Sequence, residues 1–117
     1  MASGVRTDRS SDDAKMRRKQ SGMYLKNLRS KAKLTQKALA EKVGLEYYTF
    51  VSQIENGSGR VPVALYRAFA DAYGVDVQAF SRFMLRLYDP DLYGWVFFHG
   101  EEQSVEEQFL ELMATSP

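Results

Sequence analysis

Cysteine is absent from the 117-residue chain, and histidine occurs once, at His99. Without thiols there is no disulfide framework, no thiolate zinc site and no cysteine nucleophile, and one imidazole cannot assemble a metal cluster or a triad. The chain therefore reads as suited to a reducing cytoplasm, with no metal and no cofactor. Long apolar runs are missing too. Nothing approaches the roughly 18 to 20 residues of a membrane span, and the opening stretch MASGVRTDRSSDDAKMRRKQSG lacks the apolar centre of a signal peptide. Length excludes a second catalytic domain, since one domain takes roughly 100 to 200 residues. What is present, 44% hydrophobic residues with 13% aromatics, suffices for one packed core.

Basic residues are missing from the last thirty positions, and this absence makes the net charge of +1 misleading. Residues 1–33 carry ten Lys/Arg against three acids, 34–87 six against five, and 88–117 none against seven. A basic beginning and an acidic end cancel in the total. Such asymmetry fits a polyanion-binding arm and an acidic tail, although charge runs are often only solvated faces.

Residues 1–21 have few large apolar side chains to offset the entropy of ordering, so a disordered basic arm is expected there. From Met23 the spacing of Tyr24, Leu25 and Leu28 predicts a first helix. Thr35 is placed to cap a second helix over 36–43, with Leu34 and Leu39 in staple relation and Gly44 as C-cap. Leu45, Phe50 or Val51, and Ile54 are consistent with a third short helix whose outer face carries Thr49, Ser52 and Gln53. Pro62 would open a fourth, with Leu65, Phe69 and Tyr73 buried, and Asp76 would cap a fifth carrying Phe80, Phe83, Met84 and Leu87. Asp89-Pro90-Asp91 favours a helix through Phe98, with a strand at Trp95-Val96-Phe97-Phe98 as the alternative. Ser104-Val105-Glu106-Glu107 has the pattern of a capping box.

Two short helices joined by a tight glycine-containing turn outline a helix-turn-helix, whose second helix lies in the major groove of DNA. Leu34-Thr35-Gln36, Leu39-Ala40, Gly44-Leu45, Val51, Ile54-Glu55-Asn56-Gly57 and a following Pro resemble the Cro/repressor, or XRE-type, DNA-binding family. The resemblance extends from about Tyr24 to Phe80. It implies an all-α, five-helix, lambda-repressor-like domain over 22–88 with its third helix over about 47–56; the acidic, aromatic residues 89–117 read as a short helical extension beyond it.

By the same resemblance the protein is a transcriptional regulator, a repressor, acting as a homodimer on double-stranded DNA in the cytoplasm at the nucleoid. Gln36 would meet a phosphate and brace the reading helix, Ala40 would allow close crossing, and Tyr47, Tyr48, Thr49 and Gln53 would read bases, with Ser52 a weaker candidate. An amide such as Gln53 pairs bidentately with adenine, while the Thr49 methyl or a tyrosine edge packs on a thymine methyl. Asn56 and Arg60 are better placed for phosphates. Arg29 and Glu55 occupy the positions of a structural ion pair. One extra residue lies between Gly44 and Ile54, and one between Gly57 and Pro62, which leaves the register of the first reading residues open by one.

Lys15, Arg17, Arg18 and Lys19 are expected to add affinity without sequence discrimination. An enzyme is not expected. Gly57-Ser58-Gly59 lacks the strand before it and the Gly-Lys-Ser/Thr after it that a phosphate loop needs, and Glu101-Glu102 and Glu106-Glu107 fall in a solvated tail. His99, beside an aromatic cluster, reads as a satisfied residue rather than a ligand. The rival is an antitoxin or adaptor that holds a protein partner through Trp95, Phe97, Phe98, Phe109 and Leu112. The segment Asp89 to Met113 is otherwise expected to complete a homodimer, with coverage of the chain's own core as the alternative.

Overall fold

A computed structural model describes residues 3–97, 100 and 102–115, with side chains described from residue 12 onward. Phe98, His99 and Glu101 lie outside the described residues, so the expectations placed on them do too. Seven α-helices and no strand occur among the described residues: α1 (Ser3–Lys31), α2 (Gln36–Val43), α3 (Thr49–Asn56), α4 (Tyr66–Tyr73), α5 (Val77–Tyr88), α6 (Pro90–Phe97) and α7 (Val105–Met113).

Local chemistry sets most of these boundaries. Thr35 Oγ1 accepts the Ala38 N–H at 3.0 Å, Asp76 Oδ2 accepts that of Ala79 at 2.9 Å, and Gly44 leaves α2 at φ 78°. Ser104 Oγ accepts the Glu107 N–H at 3.1 Å, and the Glu107 carboxylate accepts the Ser104 N–H at 3.1 Å, a complete capping box.

The core gathers one stripe from each of the first five helices. Leu25, Leu28, Leu39, Ile54, Phe69 and Phe80 are all at most 2% exposed. Full burial of each such side chain contributes about 1.5–3 kcal/mol. Burial also acts on the phenols around this core, pushing Tyr66 up to about 12 and raising Tyr73 and Tyr88 as well.

Three expectations need correction, and one open alternative is decided for the helix that was expected. Residues 3–21, expected to be disordered, continue α1, so the first helix does not begin at Met23. Ala, Lys, Met, Arg and Gln in residues 14–20 are strong helix formers, and the helix gains a docking partner in the end of α3, which composition cannot reveal. The third helix starts at Thr49 rather than about residue 47. Pro62 precedes a 3₁₀ turn, Val63–Leu65, and α4 proper begins at Tyr66. The strand alternative at Trp95 gives way to α6, entered from Asp89 whose carbonyl accepts the Tyr93 N–H at 3.0 Å.

The C-terminal extension divides into two unlike parts. Helix α7 covers the chain's own core: Phe109 and Leu112 are buried, and the Phe109 ring lies 4.4 Å from that of Tyr24 and 5.6 Å from that of Phe83. Arg86 fastens its approach, donating to Gln108 Oε1 at 2.7 Å and to the Gln103 carbonyl at 2.6 Å. Helix α6 buries only Tyr93 and leaves Leu92, Trp95 and Val96 in solvent, with Trp95 80% exposed. The apolar surplus expected to serve a dimer is thus partly used within the chain.

Candidate nucleic-acid interface

Residues 45–48 join α2 to α3. Tyr48 is already in the right-handed helical region, at φ −67° and ψ −18°, but no side chain caps α3 there. The carbonyls of Tyr47 and Tyr48 accept the N–H groups of Phe50 and Val51 at 3.3 and 3.0 Å, so the two tyrosines form a lead-in ahead of the helix. They stand in solvent, 66% and 51% exposed.

Within α3 the period of the helix separates two jobs. Val51 and Ile54 enter the core, whereas Thr49 and Gln53, four residues apart and so neighbours on one side, are exposed. Ser52 is half-buried. The side turned inward ends on Glu55, whose carboxylate is buried against three donors. Arg29 Nε donates to Oε2 at 2.6 Å and its Nη2 to Oε1 at 3.0 Å, while Gln36 Nε2 donates to Oε1 at 3.1 Å. Arg29 Nη1 also donates to the Leu34 carbonyl at 2.9 Å. One carboxylate thereby ties α1, α2 and α3 together. Its hydrogen bond holds the Arg29 guanidinium above its ordinary pKa against the opposing effect of burial.

The remaining candidates fall at the far end of α3. Asn56 Oδ1 accepts the Ser58 N–H at 2.9 Å and the Ser58 hydroxyl at 2.7 Å, which closes the turn after the helix, and Gly57 leaves it at φ 88°. Arg60 is not gathered with them: its Nη2 lies 2.9 Å from Asp89 Oδ2, and its guanidinium stacks 4.4 Å from the Tyr88 ring centroid. Tyr47, Tyr48, Thr49 and Gln53 are thus all exposed within or just before a helix held from behind by the Arg29–Glu55–Gln36 cluster. Arg60 lies at the joint between α5 and α6.

Two features of the site escaped the sequence. The Gln36 amide is tied to Glu55 itself, which no spacing announces. Gly22 allows α1 to cross α3, and an isolated glycine within a helical stretch is the one sign that could have pointed to such an approach.

No curated protein and no solved structure matches the chain. A family model described as a helix-turn-helix domain matches residues 20–83, from the crossing of α1 over α3 to the middle of α5. With more than half its length matched, and with the paired helices and turn in place, the chain belongs to this family of XRE-like helix-turn-helix domains.

Proposed function

We propose that the protein is a sequence-specific transcriptional regulator of the cytoplasm, a repressor, that seats α3 in the major groove of duplex DNA. The observation that carries this reading is the division of α3 into an outer side with exposed polar groups, preceded by two exposed tyrosines, and an inner side held at Glu55 by Arg29 and Gln36. A reading helix needs both, because base contacts discriminate only when the donors and acceptors arrive in fixed register. Gln53 is assigned to adenine, and Thr49, Tyr47 and Tyr48 to thymine methyl groups. Gln36, Ser52 and Asn56 are assigned to the flanking backbone, which Arg60 reaches only by releasing Asp89.

A homodimer suits the geometry of two half-sites one DNA turn, roughly 34 to 36 Å, apart. The exposed Leu92, Trp95 and Val96 of α6 are the apolar surface offered for it.

Selection of bound fragments from random DNA by the purified full chain tests the reading, since it returns a half-site and its spacing. On the selected duplex, Gln53→Ala should cost about 1–3 kcal/mol and relax one base position. An unchanged ratio of selected to scrambled binding would remove Gln53 as a reader, and uniform binding to all duplexes would favour the adaptor.

A further inference from the structure

Helix α1 passes the end of α3 at two points where a side chain would not fit. A Cβ on Gly22 would overlap the Glu55 carbonyl oxygen. On Gly57 it would lie 2.9 Å from the Lys19 Cα. These approaches fix the segment before Gly22 against the turn that closes α3. Positions 15, 18 and 19 share one side of α1 by helical spacing. Together with Asn56, Gly57 and Ser58 they line an open groove of about 370 Å³ to which, among the described residues, no acidic side chain contributes. Lys15 and Lys19 are exposed, and the Nε–H of Arg18 is screened from solvent without an acceptor among the described residues.

The groove asks for an anion, and its place says which. An α-helix rises 1.5 Å per residue, so the eight residues of α3 put the groove about 12 Å from the lead-in tyrosines. The major groove is about 12 Å wide, so with the lead-in tyrosines at base edges the far end of α3 can reach a strand that borders it. The partial negative charge at the C-terminal end of α3 accounts for a cation at position 19, but its reach of about one turn does not extend to a row starting at Lys15.

We infer that Lys15, Arg18 and Lys19 form, with the turn Asn56–Ser58, a phosphodiester site held at a fixed distance from the reading helix. The inference rests on the major-groove reading of α3. It replaces the loose polycation expected from composition, which would strengthen all DNA binding alike, with a contact made in full only when α3 is seated.

The test compares the full-length wild type with Lys15→Gln/Lys19→Gln, two exposed positions whose exchange leaves the helix intact by circular dichroism. On the selected duplex the variant should bind more weakly, on the order of tenfold at low salt, and its slope of log K against log salt should be shallower by about two. Lys15→Arg/Lys19→Arg should restore both. Single neutral methylphosphonates moved along the duplex should weaken the wild type at a backbone position to which the glutamine variant is indifferent. A wild type that selects DNA while the variant keeps its slope and its methylphosphonate profile overturns the phosphate site alone. Equal losses on selected and scrambled duplexes overturn the fixed register. A wild type without sequence preference overturns the reading of α3 and the inference with it.

Discussion

Helices α3 and α6 are each eight residues long, yet they are mounted in opposite ways. Helix α3 is gripped from behind by polar groups: a buried carboxylate, a guanidinium from α1, an amide from α2 and a glycine-mediated crossing. Its outward side is left polar and free. Helix α6 is held by one buried tyrosine and by Arg82 and Arg86 lying over the rings of Phe97 and Tyr93, and its outward side is apolar. Buried charge pairs contribute little net stability beside an apolar isostere, but they accept few alternative geometries. The comparison teaches that precision was placed under α3, whereas α6 was left with a sticky, loosely specified face.

The largest effect should come from loosening the precise mount. Glu55→Ala leaves Arg29 and Gln36 without their shared acceptor, and removal of one partner from a buried pair typically costs about 3–5 kcal/mol, somewhat less here because Arg29 remains 13% exposed. A clear drop in Tm is expected by calorimetry, with Gln53-dependent DNA selection lost even at temperatures where the chain stays folded. An unchanged Tm would mean that the crossing at Gly22 alone carries α3, and the contrast with α6 would weaken.

A middle-sized effect separates the extension from the reading unit. Loss of the Ser104 hydroxyl as N-cap, in Ser104→Ala, should cost about 0.5–2 kcal/mol by thermal melts while leaving the DNA preference untouched. The Ser104 backbone N–H, and then its hydroxyl, hold the Glu107 carboxyl below its ordinary value. A lowered folded-state pKa gives stability that is present above the unfolded value and lost as pH falls through the folded one. The gap between wild type and Glu107→Gln should therefore be full at neutral pH and should narrow in acid below the ordinary glutamate value of about 4.3. A gap independent of pH would show that the capping box is not closed in solution.

The smallest effect on stability should belong to the most exposed large side chain. Trp95→Ser is expected to change folding free energy by no more than about 0.5 kcal/mol, because the ring is 80% exposed and little burial is lost. Sedimentation equilibrium supplies the second readout, with the wild type dimeric and the variant shifted toward monomer. Equal association states would remove α6 as the dimer face, and a loss of more than 1 kcal/mol would show the ring to be packed within its own chain.

Legibility in the sequence followed the range of the interactions. Thr35, Gly44, Asp76 and Ser104 act on backbone groups no more than about five residues away, and the elements they delimit were readable from spacing. The outer residues of α3 came from the resemblance, helped by a helical period that puts Thr49 and Gln53 on one side. What was not readable depends on distant partners. The middle of α1, at Arg18 and Lys19, packs against Gly57, some forty residues on, and Arg60 is paired with an aspartate 29 positions later. Phe109 and Leu112 looked surplus because the packing of α7 against Tyr24 and Phe83 closes through contacts no local pattern records.

The two glycines at the crossing carry a further meaning for descent. Gly22 is excluded from change by the carbonyl it touches, and Gly57 by both its left-handed backbone and the helix behind it. Neither lies among the residues assigned to DNA bases. On the proposed reading of α3, ancestry and target preference would be written at separate positions: a lineage could exchange Tyr47, Thr49 and Gln53 to acquire new operators while this pair, 35 places apart, stays constant. Chains that retain both glycines and differ at the outer residues of α3 would be recognisable as cousins with different targets.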